Sequence, residues 1–242
     1  MERWKTKASM RHTALCFVGF GVLAVTFVLI AMLVASGHQS VMDFDHKWIG
    51  RIQAQESPGW TAAAETLSWI GSTKVVIVLE LILLLFLLVV PRLRWEPLLV
   101  LAATGGSALI NILLKNLFQR ERPDINRLAQ EYSFSFPSGH SMGAFALYGI
   151  LAYLLWRMIR PRAMRIVALV LCILLTLTIG LSRIYLGVHY PSDVIGGYVA
   201  SGAWLALTIG VFEYWRHRKQ RRLGGRSEAE RQENMRGDGI LS

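Results

Sequence analysis

The sequence predicts an all-α integral membrane bundle of six transmembrane helices, and three observations carry that prediction. Hydrophobic residues make up 53% of the 242 and charged residues only 17%, against about 25% charged in soluble domains; mean hydropathy is +0.41. The apolar residues are gathered into six runs, most of which reach the ~17–25 residues that cross ~30 Å of hydrocarbon at ~1.5 Å per residue. Lysine and arginine crowd the segments between alternate runs, the asymmetry that orients membrane helices.

The first run is Ala14–Ala35, preceded by Arg3, Lys5, Lys7 and Arg11. Val34-Ala35-Ser36 faintly resembles a signal cleavage site, but the run is long for a signal segment, so an uncleaved anchor is expected. Residues 36–66 form the longest connection. Within it Phe44, Trp48, Ile49 and Ile52 recur at helical spacing with Asp45, Lys47 and Arg51 between them. That pattern predicts a short amphipathic helix, lying in the membrane interface or packed as a plug on the bundle.

The second run, roughly Leu67–Val90, contains Glu80, where a charge costs about 2.5–3.5 kcal/mol, so a hydrogen bond to a neighbouring helix is expected. The third is Leu98–Leu114, and the fourth, Ser141–Trp156, is the shortest and needs its flanking residues to complete a crossing. Ile166–Ser182 and Val194–Phe212 complete the set. No soluble stretch is long enough for a separate core, so residues 1–215 form one domain. Residues 216–242 are a basic tail, resting on anionic lipid near Arg216–Arg226 and disordered beyond Gly224.

With the N-terminus inside, 18 of the 26 Lys and Arg residues lie in cytoplasmic segments, so both termini are expected in the cytoplasm, and the short basic loops suit a bacterial plasma membrane. The net charge of +10 resides in those short loops and the tail, so it points to a membrane surface and not to nucleic acid. Cys16 and Cys172 fall inside runs and suggest neither a disulfide nor a metal site.

Three short blocks carry chemistry, each at the outer end of a different run. They are Lys115-(six residues)-Arg122-Pro123, Pro137-Ser138-Gly139-His140, and Ser182-Arg183-(five residues)-His189-(three residues)-Asp193. Pro191 suits the first turn of a helix, which puts Asp193 where the helix dipole stabilises a carboxylate. Asp193 can then accept a hydrogen bond from one nitrogen of His189 and leave the other as a nucleophile. Pro137 and Gly139 suit a second helix start. There Ser138 and free N–H groups can face a phosphate, and His140 can protonate a departing alcohol. Lys115, Arg122 and Arg183 supply three positive groups for a phosphate of charge about −2. Taken singly, the second block reads as a polar helix cap and the cations as interfacial residues reaching for headgroups. Arg120 and Arg127 flank the interface in the same way, and Tyr132, Phe134 and Phe136 read as an acyl guide or as an aromatic belt.

Taken together and in this order, the blocks resemble the signature of the type 2 phosphatidic acid phosphatase superfamily. The resemblance covers Lys115–Asp193 closely and the six-span layout loosely. It implies a membrane lipid phosphatase acting on a phosphomonoester or pyrophosphate lipid such as phosphatidylglycerophosphate, phosphatidic acid or undecaprenyl pyrophosphate. It implies no metal and no other cofactor. His189 would form a phosphohistidine, with Asp193 as its partner and His140 as the acid. Lys115, Arg122, Ser138, Gly139 and Arg183 would bind the phosphate at the outer membrane interface. A lipid-linked phosphotransferase, a vanadate haloperoxidase with a similar pocket, and a lipid-phosphate transporter or scaffold are the competing readings. The last of these leaves the His189/Asp193 pairing unexplained.

Overall fold

A computed structural model describes residues 2–90 and 93–238, with side chains described within 11–219, and among the described residues the ordered secondary structure is eight helices. They are α1 (Glu2–Ala35), α2 (Gln39–Gln53), α3 (Pro58–Ile70), α4 (Thr73–Val89), α5 (Glu96–Phe118), α6 (Gly139–Met158), α7 (Arg162–Tyr185) and α8 (Pro191–Asp238). Five of these contain stretches long and apolar enough to span a membrane by themselves: Arg11–Ala35, Glu96–Phe118, Gly139–Met158, Arg162–Tyr185 and Pro191–Lys219. The sixth candidate span is α3 and α4 together, bent by 49°.

That bend departs from the single second span read from hydropathy. At Gly71 a Cβ would lie 2.4 Å from the Ile179 side chain, so the missing side chain lets the corner of α3 and α4 rest on α7. Ser72 then caps α4 by accepting from the Val75 N–H. The tail also departs from expectation. Helix α8 continues to Asp238 where disorder was expected, through a segment in which the good helix formers Arg, Glu and Gln outnumber Gly224, Gly225 and Gly237.

Lipid tails are as apolar as leucine, so the spans associate through close packing and polar links. Helix α8 is the central element, lying against α1, α5 and α6. Gly106 lets the Trp204 ring approach α5 so closely that a Cβ would overlap it, and the indole N–H donates to the Ala102 carbonyl at 2.9 Å. Leu87, Leu99, Val100, Ile150, Leu154 and Leu205 form the main core cluster between α4, α5, α6 and α8. Glu80 is linked to α5 by the Thr104 hydroxyl, which donates to it at 2.5 Å. At one end of the bundle Arg157 bridges Glu96 and Glu213, tying α5, α6 and α8. All three sequence blocks gather at the other end.

Candidate active site

The third block folds around a tight reversal. Helix α7 ends at Tyr185, and Gly187 takes a φ of 69° while sitting within 2.5 Å, measured from a Cβ position, of the Asn126 carbonyl. Only glycine satisfies both demands. The amides of Val188 and His189 then donate to the Arg183 carbonyl, and α8 starts at Pro191. His189 is 1% exposed and Asp193 is fully buried. Asp193 accepts from the Tyr190 amide at 2.9 Å, from Arg120 Nη1 at 2.6 Å and from the Ser135 hydroxyl. Its Oδ2 lies 3.4 Å from His189 Nδ1.

The opposite ring nitrogen, Nε2, is 3.2 Å from Arg122 Nη1. Arginine can only donate, so Nε2 must present its lone pair and Nδ1 must carry the proton towards Asp193. Burial is the main cause of a ring pKa pushed down to about 4, with Asp193 pulling it up and Arg122 and Arg183 adding to the depression. At pH 7 the neutral ring therefore prevails by about a thousandfold.

The second block starts α6 as predicted. Ser138 is its N-cap: its hydroxyl accepts from the Ser141 amide and from the Ser141 hydroxyl at 2.9 Å, leaving its own proton free to donate. The Ser138 amide donates to the Asp193 carbonyl at 3.1 Å and so ties the start of α6 to the start of α8. A Cβ on Gly139 would lie 3.1 Å from Asn111, whose amide holds the Pro137 carbonyl at 3.0 Å. The close approach that glycine permits here is to Asn111. His140, in the first turn of α6, stands within electrostatic reach of Arg183, His189, Lys115 and Arg122.

The three cations are held differently. Lys115 donates to the Ser133 hydroxyl at 2.8 Å. Arg122 spends its fork on the protein: Nε donates to the Ser133 carbonyl at 2.6 Å, Nη1 to the Val188 carbonyl at 2.7 Å, and Nη2 to the Ser133 hydroxyl and the Phe134 carbonyl. Burial depresses its pKa, with Arg183 adding to the effect and Glu131 opposing it. Arg183 is 2% exposed, donates to the Ser68 hydroxyl of α3 and pairs with Glu131. Its Nε–H is buried without a protein acceptor.

Several participants were not read from the sequence as part of the site. Arg120 was expected at the interface, yet it bridges Asp45 of α2 at 2.8 Å and Asp193 at 2.6 Å. Asp45, expected on the polar face of an interfacial helix, is fully buried. Glu131 pairs with Arg183 and lies 3.9 Å from Arg122, while Ser133 and Ser135 bring the crossing loop onto Lys115, Arg122 and Asp193. Of the three loop aromatics, Phe136 is fully buried against Phe27 and Phe118, whereas Tyr132 is 94% exposed. A groove of about 410 Å³ between α2, α3 and α7, lined by Trp48, Trp60, Leu67, Leu181, Ser182 and Tyr185, reaches the residue next to Arg183.

The PAP2 superfamily model matches residues 96–217, which contain every block residue. The chain is 42% identical over 112 residues to phosphatidylglycerophosphatase B of Bacillus subtilis, covering 44% of this chain and 53% of that one. It is 36% identical over 115 residues to lipid A 1-phosphatase of Rhizobium johnstonii, covering 43% of each. It thus spans about half the length of these two relatives. Against decaprenylphosphoryl-5-phosphoribose phosphatase of Mycobacterium tuberculosis the match is 33% over 171 residues, 69% of this chain and 88% of the other. A crystal structure of a transmembrane PAP2-type phosphatidylglycerolphosphate phosphatase from Bacillus subtilis superposes with a TM-score of 0.75 at 27% identity, over 81% of this chain and 96% of that one. With the helix order, the gathered blocks and these matches in agreement, the chain belongs to the PAP2 superfamily.

Proposed function

We propose that this protein is a metal-independent lipid phosphatase that works through a phosphohistidine on His189. The observation that carries the reading is the clasped ring of His189, with a carboxylate on Nδ1 and an arginine N–H on Nε2. A neutral imidazole so held presents its lone pair where a cation can draw a phosphate.

In the first step Nε2 attacks phosphorus and the bond to the lipid oxygen breaks. His140 gives that oxygen its proton, and Asp193 stabilises the positive ring formed on His189. Water then attacks the phosphohistidine, His140 takes the water's proton, and the N–P bond breaks to release inorganic phosphate. Lys115, Arg122 and Arg183 offset the charge that develops on the phosphoryl oxygens. The unpaired Nε–H of Arg183 and the free Ser138 proton suit direct contacts. The Arg122 fork is occupied by carbonyls and acts as a fixed charge. Gly139 lets the start of α6 sit against Asn111.

The relatives' names all specify a phosphate carried on a lipid. The apolar groove leading to Ser182 supports a lipid substrate here as well. The distribution of lysine and arginine supports an outward-facing site in the plasma membrane, with both termini inside.

The test is phosphate release in detergent with EDTA present, comparing phosphatidylglycerophosphate, phosphatidic acid and undecaprenyl pyrophosphate. Wild type should release phosphate from at least one and His189→Ala from none. Undiminished turnover by the purified variant would end the mechanism, and transfer of the phosphate to a second lipid without release would make the protein a phosphotransferase.

A further inference from the structure

Helix α2 lies across the end of the bundle that holds the site, yet its one buried acid points inward. Asp45 Oδ1 accepts from the Ser192 amide at 2.9 Å, and Oδ2 accepts from the Ser192 hydroxyl at 2.6 Å and from Arg120 Nη2 at 2.8 Å. Ser192 is in the first turn of α8, so a carboxylate from another helix caps the N-terminus from which Asp193 projects. Arg120 closes the frame. Its Nη1 donates to both the Ser192 hydroxyl at 2.8 Å and Asp193 Oδ1 at 2.6 Å, and its guanidinium lies over the Tyr190 ring at 4.1 Å. Burial works against a charged Arg120, but Asp193 and Asp45 outweigh it and hold its pKa above the ordinary value.

We infer that Asp45 and Arg120 are positioning residues for the proposed reaction, a clamp from α2 to α8 that sets the orientation and charge of Asp193 and through it the tautomer and basicity of His189. The inference rests on the reading of His189 as nucleophile. Three features favour this role over a merely structural pair. Arg120 divides its fork between the two carboxylates, so the charge on one determines how strongly it leans on the other. Asp193 has one oxygen on Arg120 and the other toward His189, which places it between clamp and ring. The pair also joins segments 73 to 75 residues apart at a helix start, where a slip of ~1 Å would misalign the ring.

The signature is electrostatic and has opposite signs at the two ends. Around the His189 ring stand Asp193 of α8, Arg122 of the crossing loop, Arg183 of α7 and His140 of α6, while Lys115 of α5 faces the same carboxylate. On the far side Arg120 and Tyr190 share a pocket with His38, His46 and Glu121. Arg120→Gln removes a cation and frees Asp193 for the ring, so His189 should titrate higher. Asp45→Asn removes an anion and turns Arg120 wholly onto Asp193, so His189 should titrate lower.

The experiment is histidine-selective NMR titration of the full chain in detergent micelles, with His189 assigned from the His189→Gln spectrum, beside kcat, KM and melting temperature for each variant. Arg120→Gln should raise the ring titration by about one pH unit and Asp45→Asn should lower it. Arg120→Lys, which keeps the charge, should return it towards wild type. The kcat of Arg120→Gln should fall on the order of a hundredfold with KM little changed, and that of Asp45→Asn by less. Shifts of one sign in both variants, or none in either, would overturn the clamp, as would wild-type kcat in a folded Arg120→Gln. Should Arg120→Gln fail to fold, Asp45→Asn and Arg120→Lys decide by the same ring titration. That titration needs no turnover: a wild type that releases no phosphate defeats the proposed reaction, whereas unmoved titrations defeat the clamp.

Discussion

Replacing Asp193 by asparagine tests the tautomer argument at its centre. The carboxylate is fully buried and takes four donors: Arg120, the Tyr190 amide, Ser135 and His189 Nδ1. Asparagine keeps the shape but offers one acceptor oxygen and one NH2 group. Arg120, a charged donor at 2.6 Å on Oδ1, holds the oxygen, so the NH2 group takes the place of Oδ2 and faces the Tyr190 amide, Ser135 and His189. A donor facing Nδ1 makes that nitrogen the acceptor and moves the ring proton to Nε2, where the attacking lone pair should be. In a serine protease the corresponding tautomer loss drops kcat about 10⁴-fold, and a loss on the order of 10³- to 10⁴-fold is expected here. Arg120 keeps Asp45, so the stability cost stays near the lower end of the ~3–5 kcal/mol typical of a broken buried pair. The assay is initial-rate phosphate release in detergent, with thermal unfolding of the same preparation. A folded Asp193→Asn enzyme within tenfold of wild-type kcat would refute the reasoning.

Lowering the pH probes the same ring. Because burial holds His189 near a pKa of about 4, the nucleophile should stay neutral down to pH 5, and the acid limb of kcat/KM, after correction for the substrate's own second ionisation, should lie near 4. A limb at 6 to 7 would contradict the burial. The sign for stability is the same: the folded-state pKa lies below the ordinary 6.5, so stability is complete above 6.5 and is lost as the pH falls through 4, by on the order of 3 kcal/mol from this ring. His140→Ala should lose far more rate on a lipid alcohol than on a p-nitrophenyl ester, whose leaving group departs without a proton, and equal losses on both would remove His140 from the acid role. Arg183→Lys and Arg122→Lys should separate. The first should raise KM by about tenfold through lost phosphate contact, whereas the second should lower the melting temperature because its fork ties the loop to Ser133, Val188 and Phe134. The reverse pattern would exchange their assigned parts.

The site was legible in the sequence to the extent that local rules govern it. Pro191 and the Pro137–Gly139 turn mark helix starts, and helix starts at one end of a bundle bring their side chains together, so His140, His189 and Asp193 could be placed by counting. Lys115 and Arg183 follow because they occupy the last turns of α5 and α7 at the same end. What was not legible depends on pairing over distance. Arg120 meets Asp45 and Asp193 across 75 and 73 residues, and Arg183 meets Glu131 across 52. Nothing in the spacing of an arginine near an interface, or of an aspartate among aromatics, distinguishes a buried ion pair from a solvated charge. The loop from Gln119 to Pro137 carries no period at all, so Glu131, Ser133 and Ser135 leave no pattern to read. The break at Gly71 was hidden for a different reason: hydropathy runs on through Gly71-Ser72, and the close packing of Gly71 on Ile179 is a contact with another helix.

Each cation of the site except Lys115 is answered by a carboxylate, and the assignment of carboxylates explains how the charges can be buried. Arg122 and Arg183 are 9% and 2% exposed, and an unpaired buried ion costs several kcal/mol. Glu131 serves both, pairing with Arg183 and lying 3.9 Å from Arg122, while backbone carbonyls complete the Arg122 shell. Glu131 itself keeps 29% of its side chain in solvent, so part of its hydration survives. Arg120 is treated oppositely, held between two fully buried acids. Arg122 and Arg183 are therefore offset by a side chain that still reaches solvent, and Arg120 by fixed buried groups. Under the proposed reaction only Arg183 can exchange its acid for an incoming phosphate at small cost, because Glu131 has water to return to and Asp45 and Asp193 do not. The same contrast then separates Arg183, which can turn from Glu131 to a phosphate, from Arg120, which would orient His189 through Asp193.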